Sequence, residues 1–111
     1  VFQDINVRKA FFHSLDRVKM TSDLFFGYAD AAFGPISSST PSYWKGNEDY
    51  YAYNPEGAAA LLEEAGWKMG SDGIREKNGE KLNLFFPCLL EPDTCVAIQG
   101  YAKKVGFDGS L

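Results

Sequence analysis

The residues able to do chemistry in this chain are few and scattered. His13 is the single histidine of the 111 residues. It falls on a segment of helical periodicity, turned away from the apolar stripe, where a lone histidine is read as structural or solvated. Glu63 and Glu64 are adjacent, so on a helix they point to different parts of the surface and cannot work as a paired acid and base. A solvated face is the favoured reading for both. Asp72 and Glu76 flank Gly73 but lack the ligand number and spacing of a calcium loop. No G-x-S-x-G elbow, H-E-x-x-H helix or phosphate-cradling glycine loop occurs. A hydrolase would need a nucleophile–base pair that the sequence does not offer. We therefore expect no catalytic residues, no metal ligands, no cofactor and no enzyme activity.

Cys88 and Cys95 are the two cysteines. They are too few for a disulfide framework or a four-thiolate zinc site. Their spacing leaves a bridge open, with two separate thiols the favoured reading.

The elements that would position these groups follow from periodicity and breakers. Residues 4–15 read as a helix capped by Asp4. Val7, Phe11, Ser14, Leu15 and Val18 form one face at helical spacing. Asp16 can cap a second short helix that Gly27 stops. Residues 28–53 have little periodicity and are punctuated by Gly34-Pro35, a serine run and Pro41. Tyr43, Trp44, Tyr50, Tyr51 and Tyr53 crowd the end of this stretch. Its plain reading is a meander pinned to the domain surface by its aromatics; the other reading is a binding loop.

The strongest helix signal is at residues 54–65. Asn54 caps it, Pro55 sits at the first helical position, and Gly66 ends it. Ala58, Leu61, Leu62 and Ala65 line one face, and Trp67 is expected to fold back on the helix end. Asn78-Gly79 signals a two-residue hairpin, entered by residues 74–77 and left by a strand over residues 80–86. In that strand Leu82, Leu84 and Phe86 alternate toward one side. Residues 92–105 form the last helix, with Ile98, Tyr101, Ala102 and Val105 as its apolar face. Lys103 and Lys104 lie in its last turn, where cations favour the helix dipole. Residues 107–111 begin a strand. The order gives an α/β arrangement with helices packed on a small sheet bearing a β-hairpin.

Composition bounds the class. The chain is 45% hydrophobic and 23% charged, which suits a packed domain. Its net charge of −4 argues against a nucleic-acid surface. No run approaches the ~20 apolar residues of a membrane helix. The chain opens at Val1 directly into what reads as mid-domain, so both ends are expected to be cuts in a longer protein.

Four stretches carry a family resemblance. Phe2-Gln3-Asp4-Ile5-Asn6-Val7-Arg8-Lys9-Ala10, running on to Leu15-Asp16-Arg17, resembles an element of the extracellular solute-binding family that serves oligopeptide, dipeptide and nickel transporters. Tyr53-Asn54-Pro55-Glu56, Ala58, Leu61-Leu62 and Glu64-Ala65-Gly66-Trp67 resemble a second element of that family. Phe26-Gly27 with Gly34-Pro35-Ile36, and Ile98-Gln99 with Lys103-Lys104-Val105-Gly106-Phe107, resemble a third and a fourth. All four occur in order along the chain. Ser14, Asn54 and Gly57 depart from the family's usual Ala, Asp and Lys.

The resemblance implies part of one lobe, the C-terminal one, of a periplasmic-binding-protein-like (type II) fold, with residues 1–111 a single unit. It implies a component of an ABC importer that captures peptide or a similar solute in the periplasm and delivers it to membrane permease subunits. It also implies that the loop from strand into last helix, with Cys88, Leu89, Leu90 and Glu91, faces the solute. The matched residues are caps, helix stops and apolar faces, so they identify a scaffold more than a ligand. Arg8, Asp16 and Arg17 are read as an ion-pair and capping network between the first two helices. The alternative from another class is a free-standing protein-interaction domain using the aromatic loop, residues 43–53.

Overall fold

A computed structural model of the chain describes residues 1–89 and 91–110. Helix α1 spans Ile5–Ser14 and α2 spans Arg17–Phe25. A short α3 covers Gly46–Tyr50, and α4 covers Pro55–Glu64. Three short strands follow: β1 (Lys68–Met69), β2 (Arg75–Lys77) and β3 (Glu80–Lys81). Then come β4 (Asn83–Phe85), α5 (Pro92–Lys104) and β5 (Asp108–Ser110).

The helix ends are set by the residues that can satisfy free backbone groups. The Asp4 carboxylate accepts the Asn6 N–H at 2.8 Å, and that of Asp16 accepts the Lys19 N–H at 3.0 Å. Leu15, between the two helices, is extended at φ −97° and ψ 116°. That break resets the helical phase. Val18 was expected to continue the α1 apolar face, and instead it is 62% exposed. Ala10 takes up the burial, together with Val7 and Ser14. At the N-terminus of α4 the Asn54 side chain accepts the Gly57 N–H at 2.9 Å. A Cβ at position 57 would lie 2.3 Å from Asn54 Nδ2, so two departures from the family pattern sit in contact and suit each other. The helix stops at Gly66 (φ 88°), and the Trp67 N–H returns to the Leu62 carbonyl at 2.9 Å. Trp67 is buried, as expected from its place after the stop.

α1 packs on α4, and α5 packs on α1 and α2. Val7, Ala10, Ala58, Leu62, Trp67, Leu82, Leu84, Ala102, Val105 and Phe107 form one core. Full burial of each large member contributes on the order of 1.5–3 kcal/mol. Ala10 and Ala58 are fully buried, and side chains this small let the α1 and α4 backbones come close. Phe2 and Phe11 extend the core over Phe107, with ring centroids 6.4 and 5.8 Å away.

The sheet differs from the expected continuous exit strand. β1, β2 and β3 form an antiparallel sheet, with Lys68 opposite Glu76 and Lys77 opposite Glu80. Asn78 (φ 53°) and Gly79 (φ 79°) make the anticipated hairpin turn. β4 leaves this sheet and pairs in parallel with β5, Leu84 opposite Gly109. Leu82 is the splice between the two. Its N–H donates to Arg75 O at 2.7 Å, and its carbonyl accepts the Asp108 N–H at 2.9 Å. Before Arg75 the chain turns away at Gly73 (φ 81°), so β2 offers no further partner and β5 takes over. The parallel pair requires a crossover, which α5 supplies.

Arg75 locks this junction and is only 4% exposed. Its Nε donates to Val105 O at 2.8 Å, its Nη1 to Trp67 O at 2.8 Å, and the same nitrogen pairs with Glu63. Its backbone N–H donates to Gly106 O at 2.8 Å. A Cβ at Gly106, which has φ 105°, would lie 2.5 Å from Arg75 Cγ, so glycine is required there twice over. Glu63 is thus not the solvated residue expected of it. It holds Arg75 on one side and Lys68 at 2.7 Å on the other. Glu64 is exposed, as expected.

These pairs make stability depend on acid. The Lys68 ammonium, then Arg75, hold the Glu63 carboxyl below its ordinary 4.5. Lys81, then the Ile74 N–H, hold Asp72 below its ordinary 3.8. A carboxyl whose pKa is depressed by folding binds protons more readily when unfolded. Its contribution is complete above the ordinary value and is lost as pH falls through the folded one. Urea unfolding midpoints are expected to fall as pH drops from 5 towards 3, with a shallower fall in Glu63→Gln. Parallel pH profiles for variant and parent would contradict this.

Candidate functional site

The candidate site from the sequence is the segment joining β4 to α5. β4 and β5 run parallel, so this segment leaves the carboxyl end of β4, where open α/β sheets place their ligands. Phe86 anchors its start: the side chain packs on the core and the N–H reaches Ser110 O at 3.4 Å. Gln99 of α5 donates to Gly109 O at 2.6 Å and ties the helix to β5.

Cys88 and Cys95 are joined in a disulfide with their Cα atoms 6.1 Å apart. This overturns the favoured reading of two separate thiols. The sequence placed Cys95 in the first turn of the last helix, but spacing alone did not show that Cys88 lies within bridging distance of it. Glu91 stands at the N-cap of α5 without a side-chain cap bond. The helix begins with the Cys95 N–H donating to Glu91 O at 3.1 Å. Cys88 Sγ also lies 3.7 Å from Glu91 O, a contact only, since a disulfide sulfur has no proton to donate. Leu89 on the loop is 85% exposed, Phe85 at the end of β4 is 74% exposed, and Glu91 is exposed as well. Of the four residues expected to face solute, Cys88, Leu89 and Glu91 fall together on this loop. Leu90 lies outside the described residues.

The other candidate groups serve structure. His13 Nδ1 is 2.8 Å from Ala52 O, and the His13 carbonyl accepts the Asn54 N–H at 2.8 Å. The residue therefore joins the end of α1 to the entry of α4. Asp72 accepts the Ile74 N–H at 3.1 Å and pairs with Lys81. Among the described residues no three His, Cys, Asp or Glu side chains converge as a metal set. No helix among them is long and apolar enough to cross a membrane.

Arg8 and Arg17 correct the expected ion-pair network. Arg8 donates to the carbonyls of Phe2 (2.7 Å) and Gln3 (3.1 Å). Arg17 donates to Ala32 O at 3.3 Å and Tyr51 O at 2.5 Å, with its guanidinium 4.6 Å from the Phe33 ring centroid. Only the capping half of the expectation, at Asp16, holds. Burial pushes the Arg17 guanidinium below its ordinary value. The aromatic loop is pinned at Tyr51 and Tyr53, while Trp44 and Tyr50 stay more than half exposed. Tyr51 packs on Phe12 at 5.4 Å and Tyr53 on Tyr101 at 6.0 Å. A cleft of about 370 Å³ lies between Arg17, Phe12, Phe33, Asn47 and Tyr51. Two of the guanidinium's nitrogens there already donate to loop carbonyls.

Comparison with known proteins decides what scaffold this is. The middle region of the bacterial extracellular solute-binding proteins, family 5, matches residues 1–111. The chain belongs to that family. The oligopeptide-binding protein AppA of Bacillus subtilis is 32% identical over 97% of the chain, and the nickel-binding periplasmic protein of Escherichia coli is likewise 32% identical over 97%. The structure of NikA from Brucella suis in complex with Fe(III)-EDTA superposes with a TM-score of 0.83 at 32% identity, covering 98% of the chain. AppA in complex with a nonapeptide superposes with a TM-score of 0.82 at 30% identity, also over 98%. The chain spans 21% of the length of each of those two curated relatives and 23% of each of those two solved chains. Helices packed with two small sheets are therefore a portion of a family 5 solute-binding fold, as the sequence resemblance implied.

Two further features escaped sequence reasoning. Arg75 reads as an ordinary hairpin charge, and no spacing ties it to Glu63 or to the carbonyls of Trp67 and Val105. β1 is two exposed residues long and carries no periodic signal.

Proposed function

We propose that this chain is part of the solute-binding component of an ABC-type importer for oligopeptides or related solutes. It would work outside the cytoplasm, in the periplasm, and deliver solute to membrane permease subunits. The match of all 111 residues to one solute-binding family is the observation that carries this reading. The β4–α5 loop supports it by its place at the carboxyl end of a parallel strand. In this reading Cys88, Leu89 and Glu91, with Leu90 of the same segment, face the solute. Exposed Leu89 offers an apolar contact and Glu91 a carboxylate suited to a cationic group such as a peptide amino terminus. No catalysis is assigned to the chain. The aromatic loop of residues 43–53 is not favoured as a separate interaction surface, since Tyr51 and Tyr53 are already packed on the domain.

The test is to purify the protein that carries this segment without added ligand, denature it, and identify what is released by mass spectrometry. Short peptides are expected. A metal chelate would replace the peptide reading within the same family, and a protein that neither releases nor saturably binds any small solute would overturn the proposal.

A further inference from the structure

We infer that the Cys88–Cys95 disulfide is a redox-sensitive clamp that holds the β4–α5 loop in one conformation. Two observations converge on it. The N-terminus of α5 lacks the side-chain cap that Asp4, Asp16 and Asn54 give α1, α2 and α4, since Glu91 makes no such bond. The disulfide stands in that place, linking the loop to the first turn across a sequence separation of 7. Downstream, α5 is held independently, by buried Ala102 and Val105 and by Gln99 on Gly109. Among the described residues of the segment from Pro87 to the first turn of α5, no side-chain hydrogen bond or ion pair reaches the rest of the chain, so the disulfide is the covalent tie between its two ends. Both cysteines are half-buried at the surface, within reach of a dithiol.

Reduction is written in full as follows. A dithiol supplies two electrons and two protons, the Cys88–Cys95 S–S bond breaks, each sulfur becomes a thiol, and the reductant closes into its own disulfide. The loop then gains the chain entropy that the bridge had removed, and the first turn of α5 frays. That this loop is solute-facing rests on the function proposed above; the clamp itself does not.

Hydrogen exchange on this chain with and without dithiothreitol tests it. Amides of Cys95, Val96 and Ala97 are expected to exchange roughly tenfold to a hundredfold faster after reduction. The Leu82 amide, bonded to Arg75 O in the junction, is expected to keep its rate. The doubly substituted C88S/C95S chain is expected to match the reduced form and to ignore dithiothreitol. Unchanged exchange in the first turn would overturn the clamp. So would an equal acceleration of the Leu82 amide, which would make the disulfide a global staple. No solute enters the readout, so its failure leaves the transport reading standing, and the released-solute experiment fails or succeeds without regard to the clamp.

Discussion

Arg75→Ala is expected to destabilise the chain by about 3 kcal/mol. Charge-assisted hydrogen bonds contribute roughly 1.5–3 kcal/mol each, and Arg75 makes two of them to the Trp67 and Val105 carbonyls at 2.8 Å. Both acceptors would be left facing the space the side chain vacates. The Glu63 carboxylate is better placed, because it keeps Lys68 and contact with solvent. For a domain of this size the loss corresponds to a fall in Tm of about 10–15 °C. Arg75→Lys keeps the charge but not the planar fork, so it can reach one acceptor and should lie between parent and alanine variant. Denaturant and thermal unfolding read both. A change in Arg75→Ala within roughly 0.5 kcal/mol of zero, the range of an ordinary surface substitution, would mean that Arg75 does not lock the junction.

What was legible in the sequence was local. Asn54, Pro55 and Gly66 delimit α4 because capping, a fixed φ and a left-handed stop each depend on one residue type at one position. Asn78-Gly79 specifies its turn for the same reason. The family resemblance was legible because its marks are these same caps and stops, which lie close together along the chain. What was not legible depends on residues far apart. The extended Leu15 takes Val18 out of the stripe it seemed to continue. The exit strand divides at Leu82 because β2 runs out of partners and β5 arrives from a later part of the chain. Arg75 is buried because Glu63 and Trp67, at the end of α4 and just past it, and Val105, just past α5, converge on it. Of the candidate site, the loop between the last strand and the last helix was legible, but the cysteines were left apart, since a bridge depends on the distance between two segments and not on their spacing.

The second large effect expected is the loss of solute binding when this chain stands alone. A solute-binding site buries most of its ligand in a concave surface, typically 70–90% for a drug-sized ligand. Here the candidate loop is open to solvent, with Leu89 85% exposed. A single exposed contact cannot offset the several kcal/mol of lost translational and rotational freedom that binding costs. In the proposed reading a longer family 5 protein carries this chain, and its remaining four-fifths or so would supply the opposing wall. Affinity should therefore differ by several orders of magnitude between the two. The deciding measurement is isothermal titration of one peptide mixture into the isolated 111-residue chain and into the full protein that carries it. Saturable heat from the full protein and none from the isolated chain is the predicted result. Tight, saturable binding by the isolated chain would contradict this, because it would place a complete site in a chain proposed to supply only part of one.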